Sequence, residues 1–187
     1  MAKEYENNIT VIEQDTALQG TDADEVIIAI SPAFGTKIKK NIMEIGLEKI
    51  IKELCAGIEE EGMKYRFIKV YDTTDLALIA SKGSKLSGSG ISIGLQSRGT
   101  VEIHQRDLVP LDNLELLPQS PLYDEAIYRK VGKNAAKYAK GENPEPIEGL
   151  NDFMAPSKYL VKSTLLHFKE HEMMDESRKP VNVKIDF

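Results

Sequence analysis

The chain has 187 residues, 41% hydrophobic and 29% charged, a balance found in ordinary globular proteins and a length that suits one domain. Its net charge of -6, with the basic residues scattered rather than gathered into a stripe, argues against a nucleic-acid partner. The longest apolar runs, such as Val26 to Ile30, are far too short to span a bilayer, and one cysteine, Cys55, excludes an internal disulfide.

Residues 1–22 are polar and end in Gln19-Gly20-Thr21, so they read as a flexible N-terminal arm. The opening MAKEYENN has no apolar signal core, and a cytoplasmic location is expected. A single α/β domain is expected over residues 23–187. It begins with Glu25-Val-Ile-Ile-Ala-Ile-Ser31, a β-branched run closed by Pro32 that predicts a buried strand. Leu47, Ile50, Ile51, Leu54 and Ile58 then recur at helical spacing, with charged residues between them and Gly62 as a C-terminal cap. Cys55 falls inside this pattern and reads as a buried, inert thiol.

Tyr65 to Tyr71 alternates and predicts a second strand; strand, helix and strand together make a crossover unit whose natural product is a parallel sheet. Asp75 is placed to cap a short helix from Leu76 to Ala80, followed by a Gly- and Ser-rich turn from Ser81 to Gly90. Ile91 to Leu95 and Thr100 to His104 predict two more strands. Leu108 to Pro121 reads as an irregular connection, Tyr123 to Lys140 as a helix, and Gly141 to Gly149 as a linker in which Pro144 and Pro146 forbid helix. A helix from about Lys158 to Glu170 and a last strand from Val181 to Phe187 complete the chain. The expected fold is α/β: a Rossmann-like, mostly parallel sheet flanked by helices, with a helical and irregular C-terminal portion.

Three chemical motifs present themselves and each has a plain structural reading. Gly88, Gly90 and Gly94 resemble a dinucleotide fingerprint poorly, because the spacing is one residue too long and β-branched residues stand where a helix must open. His167 and His171 stand four apart on a helix, but their order is not that of a metalloprotease and no third ligand is evident, so a solvated face is expected and no metal site. Asp24 with Glu25 and Asp124 with Glu125 are sequence neighbours whose side chains point apart. No catalytic residue is assigned.

Taken together, Asp24 to Phe34, Ala56 to Gly62, Leu86 to Gly99, Ile103 to Leu108, Asn113 to Leu116 and Gly132 to Ala139 resemble the medium subunit of adenosylcobalamin-dependent glycerol and diol dehydratases. The resemblance runs from about residue 22 to 170. It implies a chain that holds the nucleotide-loop side of adenosylcobalamin against a large subunit, where the radical chemistry takes place, with a small subunit alongside in an (αβγ)2 assembly. A reactivating factor is a further implied partner, and packaging in a bacterial microcompartment is compatible with the family. Carried onto this sequence, the resemblance assigns the cofactor phosphate to Arg98, at a position that is usually Lys. It assigns Asp75, Asn113, Glu115, Tyr159 and Ser163 to amides or the base pocket, and Ser87 and Pro118 to its wall. Met154-Ala-Pro-Ser-Lys158 lacks the basic residue that related chains carry just before the Pro, which leaves a second cationic contact unfilled. No Asp-x-His-x-x-Gly signature occurs, so by analogy the coenzyme keeps its own base on cobalt and His104 is structural.

Two other readings stand beside this one. The small subunit of a dehydratase-reactivating factor resembles the first part of the chain, and an autonomous nucleotide-dependent enzyme would share the α/β pattern. Between glycerol and propane-1,2-diol, the short N-terminal arm and Ile103 to Leu108 favour the glycerol type.

Overall fold

The computed structural model describes residues 9–187. In chain order its elements are β1 (Thr10–Thr16), β2 (Glu25–Ile30), α1 (Leu47–Glu60), β3 (Lys64–Lys69), α2 (Leu76–Leu86), β4 (Ile91–Leu95), β5 (Val101–Gln105), β6 (Glu115–Leu117), a 3-10 turn (Ser120–Leu122), α3 (Glu125–Lys140), α4 (Ala155–His171) and β7 (Val181–Asp186). The seven strands form one sheet in the order β1-β7-β3-β2-β4-β5-β6.

The α/β class is as expected, but the sheet is not mostly parallel. Only β3–β2 and β2–β4 pair in parallel; β1–β7, β7–β3, β4–β5 and β5–β6 are antiparallel. The reason lies in the connections. Helices α1 and α2 carry the chain back to the same end of the sheet, setting β3 and β4 parallel on either side of β2, whereas the short turn from Gln96 to Thr100 leaves no room for a crossover, so β5 must run back along β4.

Central β2 shows why the sequence is so apolar there. Covered on both faces, it sends Ile28 and Ile30 into the core beneath α1 and α3, and Ile27 and Ala29 into the smaller core beneath α2. Helices α1 and α3 approach closely through Gly57 and Gly132: a Cβ on Gly57 would lie 2.2 Å from the Arg129 carbonyl oxygen, and one on Gly132 2.2 Å from that of Leu54. Cys55 is buried beside them, and burial pushes its thiol up to about 12, which leaves it inert as read.

Four local expectations are corrected. Residues 1–8 of the expected arm lie outside the described residues, but Thr10–Thr16 form β1, an edge strand on β7. All of its residues but the half-buried Val11 are exposed, so it carries a mostly polar sequence with little hydrophobic signal. Helix α2 runs through the expected Gly- and Ser-rich turn as far as Leu86, because there the small residues pack rather than bend: Gly83 lies against Ala29 and Ser92, and the Ser84 hydroxyl donates to the Ser81 carbonyl at 2.9 Å. Glu115–Leu117 pair with β5 inside the expected irregular connection. Helix α4 starts at Ala155 with Pro156 in its first turn, where a missing N–H is harmless.

Candidate functional site

The site is built on the turn that joins β4 to β5. Gln96 N donates to Thr100 O at 3.0 Å and Gly99 N to Gln96 O at 2.9 Å, with Gly99 in the left-handed region at φ 100. The fully buried Tyr128 of α3 donates its hydroxyl to the Gly99 carbonyl at 2.7 Å, and Ile42 N donates to the Arg98 carbonyl at 3.3 Å. The backbone of Arg98 is therefore fixed from two sides.

Its side chain is half-buried. Arg98 Nε donates to Gln96 Oε1 at 2.9 Å and Thr100 Oγ1 at 3.0 Å, and Nη1 donates to Ser163 Oγ of α4 at 3.3 Å. Nη2 makes no hydrogen bond among the described residues. Burial lowers the pKa of the guanidinium, opposed by Glu170, yet a guanidinium stays charged at any physiological pH. A held cation with free donors is suited to a phosphate or carboxylate oxygen.

Two adjoining clefts open around this cation, one of about 510 Å³ and one of about 220 Å³, sharing Arg98, Thr100, Pro118 and Ser163. The larger reaches Asp75, which caps α2 by accepting from Leu78 N at 3.0 Å, as its position in the sequence predicts. Gln96 Nε2 ties the turn to the start of α2 through the Thr74 carbonyl at 2.6 Å. The smaller is walled by Tyr159 and Pro156 of α4. Gly94 lets α2 lie flat beside it, since a Cβ there would stand 2.7 Å from Ala80 Cβ.

Of the eight residues assigned from the sequence, Asp75, Arg98, Pro118, Tyr159 and Ser163 meet around these clefts. Ser87, Asn113 and Glu115 lie elsewhere. Ser87 ends α2 and donates to the Glu25 carbonyl at 3.0 Å, at the start of β2. It is thus one strand length, about 16 Å, from the end of β4 where Arg98 sits. Asn113 is exposed in the loop before β6. Glu115 points the other way from its neighbour Leu116, towards α3, where it accepts from Asn134 Nδ2 at 2.9 Å and Tyr138 OH at 3.1 Å beside a separate cleft. His104 is buried between Ser84 Oγ at 3.1 Å and the Val109 carbonyl at 3.3 Å, the structural role expected of it.

Gln96, Thr100, Glu102 and Thr164 also line the larger cleft, though no motif singles them out. Only for Glu102 did the sequence hold a signal, an acid at mid-strand in a run whose neighbours Val101 and Ile103 are core residues. His167 lines the same cleft while His171 lies exposed one turn on, and no cluster of metal-ligating side chains forms among the described residues. No helix among them is long and apolar enough to cross a membrane.

Besides the Arg98–Ser163 bond and an exposed ion pair between Lys162 and Glu44, helix α4 is anchored to this region by one buried carboxylate. Glu170 is buried and accepts from Ser31 Oγ at 2.5 Å, Ala33 N at 2.7 Å and Ser97 N at 3.2 Å, a set of bonds that closes the C-terminal ends of β2 and β4. Elsewhere α4 leaves Leu160, Val161, Leu165 and Phe168 between 60% and 74% exposed.

Two solved structures share a partial likeness with the chain. A glycerol dehydratase reactivase superposes with a TM-score of 0.51 at 17% identity, over 71% of this chain and 98% of its own. A diol dehydratase-reactivating factor complexed with ADP and Mg2+ gives 0.49 at 20% identity, over 71% of this chain and 100% of its own. At such identity the likeness is one of fold alone. The sequence model of the dehydratase medium subunit, in contrast, matches residues 31–145, from the end of β2 through β6 and α3 and including the Arg98 turn. The chain belongs to the dehydratase medium subunit family.

Proposed function

We propose that this chain is the medium subunit of an adenosylcobalamin-dependent glycerol dehydratase, and that it grips the nucleotide-loop side of the coenzyme while a large subunit carries out the chemistry. The observation that carries this reading is Arg98, a fixed cation with an unused Nη2 at the meeting of two open clefts, inside the family-matched segment. A corrinoid offers one phosphodiester and many amides, and the residues here fit that set: Arg98 for the phosphate, with Ser163, Tyr159, Thr100 and Gln96 as hydroxyl and amide partners. The clefts are open to solvent, as half of a shared seat would be. When bound, the coenzyme supplies the radical that starts dehydration; this chain binds, orients and shields it. Asp75 stands at the rim as the cap of α2, and Pro118 forms wall in both clefts. The exposed apolar face of α4 supports contact with a partner subunit, because four large side chains on one helix exceed the scattered exposure usual on a monomer. The small subunit and a reactivating factor complete the set of proposed partners, in a cytoplasmic (αβγ)2 assembly.

The reading is tested by purifying the chain alone and with its large and small subunits. The chain alone is expected to be inactive, the complex to dehydrate glycerol with added coenzyme, and Arg98→Ala to weaken cobalamin binding about tenfold or more. Dehydration by the isolated chain would overturn it. Assaying propane-1,2-diol in parallel decides the substrate. The likeness to the glycerol dehydratase reactivase favours a second reading, a subunit of a reactivating factor. Capture of an ATPase partner in place of the large subunit would select that one.

A further inference from the structure

The larger cleft contains a polar atom that nothing in this chain satisfies. Glu102 is the second residue of β5, with 2% of its surface exposed, and its Oε1 is buried with no hydrogen-bond partner among the described residues. Several other buried side-chain atoms lack partners, among them Glu115 Oε2 and Arg106 Nε, but of all these only Glu102 lines the Arg98 clefts. A carboxyl on a sheet between core residues is costly unless something pairs with it. The charged and titratable side chains that share the cleft do not supply a pair: Asp75 is acidic, and neither Arg98, whose bonds go to Gln96, Thr100 and Ser163, nor the exposed His167 of α4 makes a bond to Glu102. Stability of the fold therefore gives no reason for an acid here, whereas a ligand does.

We infer that Glu102 recognises a primary amide of the bound ligand, its carboxyl accepting from the amide N–H and, when protonated, donating to the amide oxygen. On the corrinoid reading proposed above, on which this inference rests, the partner is one of the peripheral side-chain amides of the ring. Burial, with the Asp75 charge adding to it, pushes the carboxyl up to about 7, so that both hydrogen-bonding forms are present near neutrality.

The test measures cobalamin affinity by corrin absorbance in the complex assembled from all three subunits. Glu102→Val is expected to weaken binding about tenfold, and Glu102→Gln, which keeps the shape and both kinds of hydrogen-bonding group, to stay within about threefold of wild type. Affinity for cobalamin unchanged in Glu102→Val would overturn the inference. Arg98→Ala separates the two claims: if it weakens binding while Glu102→Val does not, the seat stands and the role of Glu102 fails; if neither does, the seat itself is wrong. Should Glu102→Val not assemble, cobalamin monocarboxylic acids, each with one side-chain amide hydrolysed, decide the matter with Glu102→Gln. One of them is expected to bind wild type more weakly than Glu102→Gln at pH 8, and the same affinity ratio across the whole panel would refute amide recognition.

Discussion

Helices α3 and α4 are nearly equal in length and lie next to each other in the chain, yet they use their surfaces in opposite ways. Helix α3 buries Tyr128, Val131, Gly132, Asn134, Ala135 and Ala136 against α1 and the sheet, while α4 buries only Ala155 and Glu170. Where apolar side chains are covered by their own chain they stabilise it; where they are left outside, on a helix with little of its surface buried, they are available to another chain. The cleft around Arg98 lies between the two regimes, its backbone locked by Tyr128 of α3 and its outer wall made by Ser163 and Tyr159 of α4.

The largest effect is expected from breaking the α3 side. Tyr128→Ala removes a fully buried ring and the hydroxyl that holds the Gly99 carbonyl, and is expected to destabilise the chain by about 4 kcal/mol in urea denaturation. Glu170→Ala strands the Ala33 N–H and leaves the Ser97 N–H only its bond to Ser31 Oγ, and should cost about 3 kcal/mol. It should also release α4, seen as faster proteolysis between residues 155 and 171, with a loss of cobalamin binding that outlasts any rescue of stability by osmolytes.

Glu102 sharpens the comparison through pH. The unfolded chain gives up this proton near the ordinary 4.5 and the folded chain near 7, so the folded state binds more protons across that interval. Its contribution is therefore greatest below pH 4.5 and is lost as pH rises through 7. A shift of that size corresponds to about 3 kcal/mol, and about 2 is expected once water entry from the open cleft is allowed for. Glu102→Gln should flatten the stability profile over this interval and make the chain more stable than wild type at pH 8, read by thermal unfolding in a pH series.

The smallest effect on stability belongs to the α4 surface. Val161→Asp and Leu165→Ser are expected to change the stability of the isolated chain by about 0.5 kcal/mol or less, since both side chains already face water. The same pair should abolish co-purification with the large subunit. Intact assembly in the double variant would remove α4 from the interface and leave its apolar face unexplained.

Much of this was legible before any fold was known. Strands β2, β3, β4 and β5, helices α1 and α3 and the cap at Asp75 follow from local periodicity and capping chemistry, because each is repeated over several residues or concentrated at one. Arg98 stood out as a cation in a run of small residues. Elements with weak local signals were not legible: β1, an exposed edge strand, and β6, only three residues long.

Sequence alone determined the α/β class, the resemblance to a medium subunit and the set of side chains able to serve a phosphate and amides, since these depend on residue types and short-range spacing. Tertiary structure decided which of those side chains meet. Ser87 and Arg98 are eleven positions apart and sit at opposite ends of β4, while Arg98 and Ser163 touch across sixty-five positions. Strand direction and helix packing set such distances, and so does the unpaired burial of Glu102, which becomes visible only when α2, β5 and α4 close around it.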